Sequence, residues 1–159
     1  MDIIYRTAKL DDYTEVNKIL GESLELHANA LPSMFDNQMA VLSPEQYQAT
    51  LYYATIDILV AQYRNQIIGA SVVELKYNPP TTLAPLSYTA YIQYFGVKKG
   101  FQNYGVGKGL FSATKQWAVQ KGANDLQLTV WAFNEKARAF YESLGLKNLS
   151  YLMTTSLQP

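Results

Sequence analysis

Between Val16 and His27 the apolar positions Val16, Ile19, Leu20 and Leu24 recur at helical spacing among polar residues, with His27 closing the stripe. That period predicts a helix from about Asp11 to Ala28, preceded by a short strand at Ile3 to Thr7. Ser43, Pro44 and Gln46 combine a capping hydroxyl, a proline at the first helical position and a back-bonding amide, so a second helix should run to about Ala54. The stretch between, Leu31 to Leu42, is expected to be irregular.

Ile56 to Tyr63 and Ile67 to Tyr77 are rich in β-branched and aromatic residues and are separated by Arg64, Asn65 and Gln66, which predicts an antiparallel hairpin. Asn78, Pro79 and Pro80 end it. Ser87 to Val97 reads as a further strand, and Val106 to Lys121 as a helix with Val106, Leu110, Thr114, Trp117 and Ala118 on one side. Leu126, Leu128 and Val130 alternate as a strand, Asn134 caps a short helix ending at Gly145, and Leu149 to Leu157 reads as a last strand. The order is β-α-α-β-β-β-α-β-α-β. No linker, repeat or low-complexity segment divides it, so residues 1–159 are expected to form a single mixed α/β domain.

Composition narrows the chemistry. An apolar content of 48% argues against disorder, and the lack of cysteine removes disulfides, thiolate metal sites and a cysteine nucleophile. A cytoplasmic location is the simplest reading. Neither a secretory leader nor a membrane span is expected, because the N-terminal residues are interrupted by Arg6, Lys9, Asp11 and Asp12 and no apolar run is long enough. The lone His27 does not suffice for a histidine metal site or a serine–histidine triad, so no metal is expected.

The net charge of zero hides an asymmetry. Residues 1–74 hold ten acids and four bases, whereas residues 75–124 hold Lys76, Lys98, Lys99, Lys108, Lys115 and Lys121 and no acid. A basic centre of this kind either meets an anion or is a solvated lysine face. The loop inside it favours the anion. Gln102, Asn103, Tyr104, Gly105, Val106 and Gly107 follow a strand and open a helix, where free amides and the positive end of the dipole bind phosphate groups. Close packing of helix on strand would also explain the glycines. The loop is neither a Walker loop nor a dinucleotide fingerprint.

Tyr91 to Leu146 resembles the core of the GNAT superfamily of acyl-CoA-dependent N-acyltransferases. Its Arg/Gln-x-x-Gly-x-Gly/Ala motif is met by Gln102, Gly105 and Gly107, and its Asn-x-x-Ala-x-x-Phe-Tyr motif by Asn134, Ala137, Phe140 and Tyr141, followed by Gly145 and Leu146. The resemblance implies a central mixed sheet of about six to seven strands flanked by four helices. It also implies an acyl-CoA held in a V-shaped opening between the strand ending at Val97 and the next parallel strand. Phe95, Gly96 and Val97 would pair with the pantetheine arm, the amides of Gln102, Asn103, Tyr104, Gly105, Val106 and Gly107 with the pyrophosphate, and Asn134 with the pantetheine or its neighbourhood. Lys99, Asn103 and Leu146 stand where the family often has proline, glycine and phenylalanine. None of these should prevent binding, since asparagine tolerates a left-handed backbone.

The implied reaction is direct attack of a neutral amine on the thioester of acetyl-CoA, with no covalent enzyme intermediate. Tyr141 is the candidate acid for the leaving thiolate, and a strand amide near Phe95 to Val97 the candidate oxyanion donor. Locally, Tyr141 also reads as a buried aromatic beside Phe140, and Asn134 as a plain helix cap. Many relatives carry a carboxylate base on the strand before the glycine loop, but Tyr91, Ile92, Gln93, Tyr94 and Phe95 supply none. A water held by Gln93 or Tyr94 is the preferred base, with Glu22, Glu25 and His27 as alternatives. His27 reads more readily as a hydrogen-bonded structural residue. The acidic N-terminal part and the tyrosines of residues 22–47 and 74–94 suggest a small cationic primary amine as acceptor. A peptide or protein amine, a catalytically inactive acyl-CoA sensor and a homodimer remain open. Nucleic-acid binding is not expected from a neutral domain without a recognition motif.

Overall fold

A computed structural model of the chain describes residues 1–38 and 40–158, so Met39, in the predicted irregular stretch, and Pro159 lie outside the described residues. The chain divides into two compact units, residues 1–129 and 130–159. The first holds strand β1 (Ile3–Thr7), helices α1 (Tyr13–Ala30) and α2 (Pro44–Tyr52), strands β2 (Ile56–Tyr63), β3 (Gln66–Asn78) and β4 (Ser87–Val97), helix α3 (Val106–Gln120) and strand β5 (Asp125–Leu128). The second holds helix α4 (Glu135–Ser143).

The strands form one sheet in the order β1-β2-β3-β4-β5, antiparallel except for the parallel pair β4–β5. Alternation along the strands gives the sheet two buried faces. Val16, Ile19 and Leu20 of α1 and Tyr47 of α2 pack on one face with Ile58, Val60, Ala70 and Val72. Val106, at the start of α3, packs with Ala61 and Ile68 in a separate cluster. Farther along α3, the buried Thr114 and Ser71 hydroxyls bond each other at 3.1 Å, and the Trp117 indole donates to Asp57 at 2.6 Å. The capping box at Ser43 is present, with the Gln46 amide 3.1 Å from the serine oxygen.

Two register shifts break the alternation. Ala61 pairs with Gly69 but Gln62 with Ile67, so Ile68 is an extra residue, and the Ile67 amide is taken instead by the Glu15 carboxylate at 2.8 Å. On the next ladder Val72 pairs with Tyr94 but Val73 with Ile92, which makes Gln93 the extra residue. Such bulges bend a strand and re-aim its side chains. Beyond Gln93 the strand comes under α1, where a Cβ at Gly96 would lie 3.1 Å from Ile19 Cγ2. A side chain at this position would have to push Ile19 back by a few tenths of an ångström.

The expected last strand is absent: residues 146–158 carry no regular structure, and the described sheet has five strands rather than six or seven. Leu149, Tyr151, Leu152, Met153 and Leu157 are 80% exposed or more. Apolar content gave this segment strand propensity, but a strand exists only through a ladder partner, and the segment has none.

At the entry to α1, both oxygens of Asp12 accept from the Arg6 guanidinium, at 2.7 and 3.0 Å, and Oδ2 also accepts from the Lys9 amide at 2.7 Å. Burial raises the Asp12 pKa, but the Arg6 hydrogen bonds, the Lys9 amide and the nearby positive charge outweigh it and hold the carboxyl below its usual range. A depressed folded-state pKa contributes stability above the unfolded-state value and loses it as pH falls through the folded one. Asp12→Asn should therefore cost about 2 kcal/mol at pH 7, with the difference from the parent chain closing below about pH 4. Urea unfolding at both pH values measures this.

Candidate active site

The site begins where two strands stop pairing. β4 and β5 are in parallel register from Thr89↔Asp125 to Ile92↔Leu128, yet β4 continues to Val97. Over Tyr94 to Val97 the strand keeps its β3 partners Val72, Ser71, Ala70 and Gly69, while its register with β5 ends at Ile92. Phe95, Gly96 and Val97 stand half-buried on the part of β4 that runs past the last β5 pair.

The loop that follows is anchored at several points. The Lys98 amide donates to Ile68 O at 2.9 Å, the Lys99 amide to Glu22 Oε2 at 2.9 Å, and the Gln102 side-chain amide to Val97 O at 3.3 Å. Phe101 packs on the cluster of Ile68 and Val106, tilted against Tyr63. Asn103 has φ 66° and Gly105 φ 80°, both left-handed, and these two turns bring the chain into α3. Asparagine is the non-glycine residue best able to do so.

Gly105 is the N-cap of α3 and offers no side chain to its amides, and the first turn holds no acid. The first bond back to the cap runs from the Gly109 amide to Gly105 O at 3.0 Å, so the amides of Val106, Gly107 and Lys108 lack intrahelical acceptors. Together with the dipole of a fifteen-residue helix these amides can accept an anion, and Lys98, Lys99 and Lys108 lie close to them in sequence. Tyr104, next to the cap, is 67% exposed, while Val106 is buried.

Asn134 and Tyr141 belong to the second unit. Asn134 caps α4 as expected, its Oδ1 accepting from the Ala137 amide at 3.1 Å. Tyr141 meets Phe140 edge to face at 5.1 Å, and burial pushes its hydroxyl well above the usual tyrosine range. The phenol is therefore protonated at neutral pH and able to donate.

Of the three side chains considered as bases, Glu22 is bonded to the Lys99 amide and Glu25 is exposed at the surface of α1. His27 Nδ1 bonds Ser23 O at 2.6 Å, with the ring 5.3 Å from that of Phe35, a structural setting as anticipated. A further carboxylate lies on the strand paired with β4. Glu74 on β3 is in register with Tyr91, and its Oε2 accepts from the amide of Gln93, the bulged residue, at 2.7 Å. Antiparallel pairing across the 79–86 connection, with Asn78 opposite Ser87, brings Glu74 to this rung.

A five-stranded mixed sheet whose one parallel pair flanks a glycine-capped helix defines a mixed α/β domain with an anion-accepting helix N-terminus. The sequence profile described as Acetyltransferase (GNAT) family matches residues 24–146, and the chain belongs to that family. An uncharacterized N-acetyltransferase from Lactobacillus delbrueckii subsp. lactis is 37% identical over 59 residues; the match covers 37% of this chain and 34% of that protein, about a third of the relative's length. A tetramutant form of the BH1408 protein of Bacillus halodurans superposes with a TM-score of 0.92 at 28% identity, covering 97% of this chain and 99% of that one. An aminoglycoside acetyltransferase from an uncultured soil metagenomic sample, in complex with sisomicin, shares the fold at a TM-score of 0.74 and 17% identity, with 98% and 97% of the chains covered.

The left-handed backbone at Gly105 yields a test of this turn's construction. A Cβ there meets nothing within 4 Å, so the penalty of substitution is conformational rather than steric. Gly105→Ala should destabilise the fold by about 1–2 kcal/mol, and Gly105→Asn by less, in urea titrations of the two variants.

Proposed function

We propose that this chain transfers an acetyl group from acetyl-CoA to a small cationic primary amine, by direct attack in a ternary complex. The observation that carries the reading is the first turn of α3, which has no side-chain cap and follows a strand that runs past its last β5 pair. Pyrophosphate suits the amides from Gln102 to Gly107, and the pantetheine arm, which is amide-bearing, suits strand addition to Phe95, Gly96 and Val97. Asn134 would contact the pantetheine or its neighbourhood, and a β4 amide near Phe95 to Val97 would hold the oxyanion.

Tyr141 is assigned the acid, because its phenol, protonated at neutral pH, has a proton to give to the departing sulfur. The cationic acceptor follows from the acidic excess of residues 1–74 and the tyrosines at 88, 91 and 94. The fold-level likeness to an aminoglycoside acetyltransferase agrees with an amine acceptor. We take residues 1–159 to work as one catalytic domain in the cytoplasm, with a homodimer as a possible assembly. Among the described residues no helix is long and apolar enough to cross a membrane.

Titration calorimetry with acetyl-CoA tests the donor site. Binding in the micromolar range is expected for the parent chain. Gly105→Asp, which sets a negative charge against the first amides of α3, should weaken it at least about tenfold. Absence of binding to the folded parent chain would overturn the reading. Tyr141→Phe should lower kcat by about a hundredfold while leaving acetyl-CoA affinity unchanged, as expected for loss of a general acid.

A further inference from the structure

We propose that Glu74, on the strand next to β4 rather than on β4 itself, is the carboxylate that receives the acceptor's ammonium group and takes its proton. The inference rests on the acetyl transfer proposed above.

Three features single it out. The first is position. Glu74 is paired with Tyr91, one rung before the last β4–β5 pair, Ile92↔Leu128, and it bonds the residue that the bulge displaces. Alternation places Glu74 with Ala70 and Val72, on the α1 side of the sheet and opposite the α3 face. The acceptor would therefore approach from the side away from α3.

The second feature is its free charge. Gln93 donates to one oxygen and is neutral, so the bond orients the carboxylate without cancelling its charge. Lys76, the neighbouring cation on the same strand, rests over the Tyr91 ring, 4.0 Å from its centroid. The ion pairs among the described residues are Arg6–Asp12, Lys121–Asp57 and Arg138–Glu142, and Glu74 enters none of them. The other titratable groups on packed elements are Tyr88, Tyr91 and Tyr94 on β4, Asp57 and Tyr63 on β2, Tyr13, Glu15, Lys18, Glu22, Glu25 and His27 on α1, and Lys108 and Lys115 on α3, which packs on the opposite face. Asp57 is committed to Trp117, Glu15 to the Ile67 amide and Glu22 to the Lys99 amide.

The third feature is a fixed wall. The Tyr91 hydroxyl bonds Thr129 Oγ1 at 2.8 Å while Lys76 covers its ring, so the aromatic beside Glu74 is held at both ends. A carboxylate next to an immobilised tyrosine suits a primary ammonium with an apolar stem.

The proton count closes. The ammonium gives one proton to Glu74, directly or through one water, and the freed lone pair forms the N–C bond to the acetyl carbon. The nitrogen's second proton ends on the CoA sulfur as the C–S bond breaks, Tyr141 passing it, and Glu74 returns its proton to solvent. The products are the amide, the CoA thiol and one proton.

The test compares the parent chain with Glu74→Gln and Glu74→Asp, using acetyl-CoA and spermidine, sisomicin or tyramine. CoA release is followed with a thiol reagent, which a cysteine-free chain does not consume. Glu74→Gln should lower kcat/KM at pH 7 by about a hundredfold. The deficit should shrink towards pH 9.5, as an amine with a pKa of about 10 deprotonates unaided. Glu74→Asp should recover part of the rate, and acetyl-CoA affinity by calorimetry should be unchanged in both. Activity of Glu74→Gln within about threefold of the parent at pH 7, a loss independent of pH, or a parallel loss of acetyl-CoA affinity overturns the inference and leaves acetyl transfer standing. A parent chain that acetylates none of the three amines overturns acetyl transfer itself.

Discussion

Everything in the candidate site depends on β4 being paired fully on one edge and only partly on the other. β3 holds the strand over its whole length from Asn78↔Ser87 to Gly69↔Val97, while β5 lets go after Ile92. Full pairing on the β3 side is what keeps the segment beyond Ile92 extended. A strand released on both edges would lose its conformation, and one paired on both would have no amides to offer. The Gln93 bulge sits at the point of divergence, adding bend and twist to β4 where β5 ends. Ile19 against Gly96 then presses the far part of β4 from α1, so that part is held by packing as well as by hydrogen bonds.

The same arrangement gives the charge asymmetry a structural meaning. Several acids of residues 1–74 hold backbone or side-chain donors in place: Asp12 binds Arg6 and Lys9, Glu15 the bulge at Ile67, Glu22 the entry to the glycine loop and Asp57 the Trp117 indole. Each answers a donor that the fold would otherwise leave short of a partner. The lysines at 98 and 99 follow the end of β4 and Lys108 lies in the first turn of α3, so positive charge accompanies the chain from the strand into the helix.

Local signals were legible wherever the physics is local. The Ser43 capping box, the left-handed tolerance of Asn103, the Asn134 cap and the strand–glycine–helix order all involve residues within a few positions of one another, and the structure shows each. The bulges at Ile68 and Gln93 were not legible. An extra residue in one strand is defined only against its partner, and nothing in Val72, Val73 or Tyr91 to Tyr94 announces it. The segment from Leu149 to Leu157 failed for a related reason: apolar residues favour a strand, but only a neighbouring edge makes one.

Glu74 shows how the two kinds of information combine. Read along the chain, it is the last acid before a fifty-residue block without one, and β4 lacks a carboxylate. Read across the sheet, the antiparallel register returns that acid to the middle of the acid-free strand, and the bulge gives it Gln93 as an orienting donor. Proton transfer needs a group at the right place, and its position in the chain is immaterial. A strand without a carboxylate of its own can therefore have one set beside it by its neighbour, provided the register between them is firm. Here the register is held by ten cross-strand pairs, from Gly69↔Val97 to Asn78↔Ser87. A slip of one residue would turn Glu74 to the opposite face.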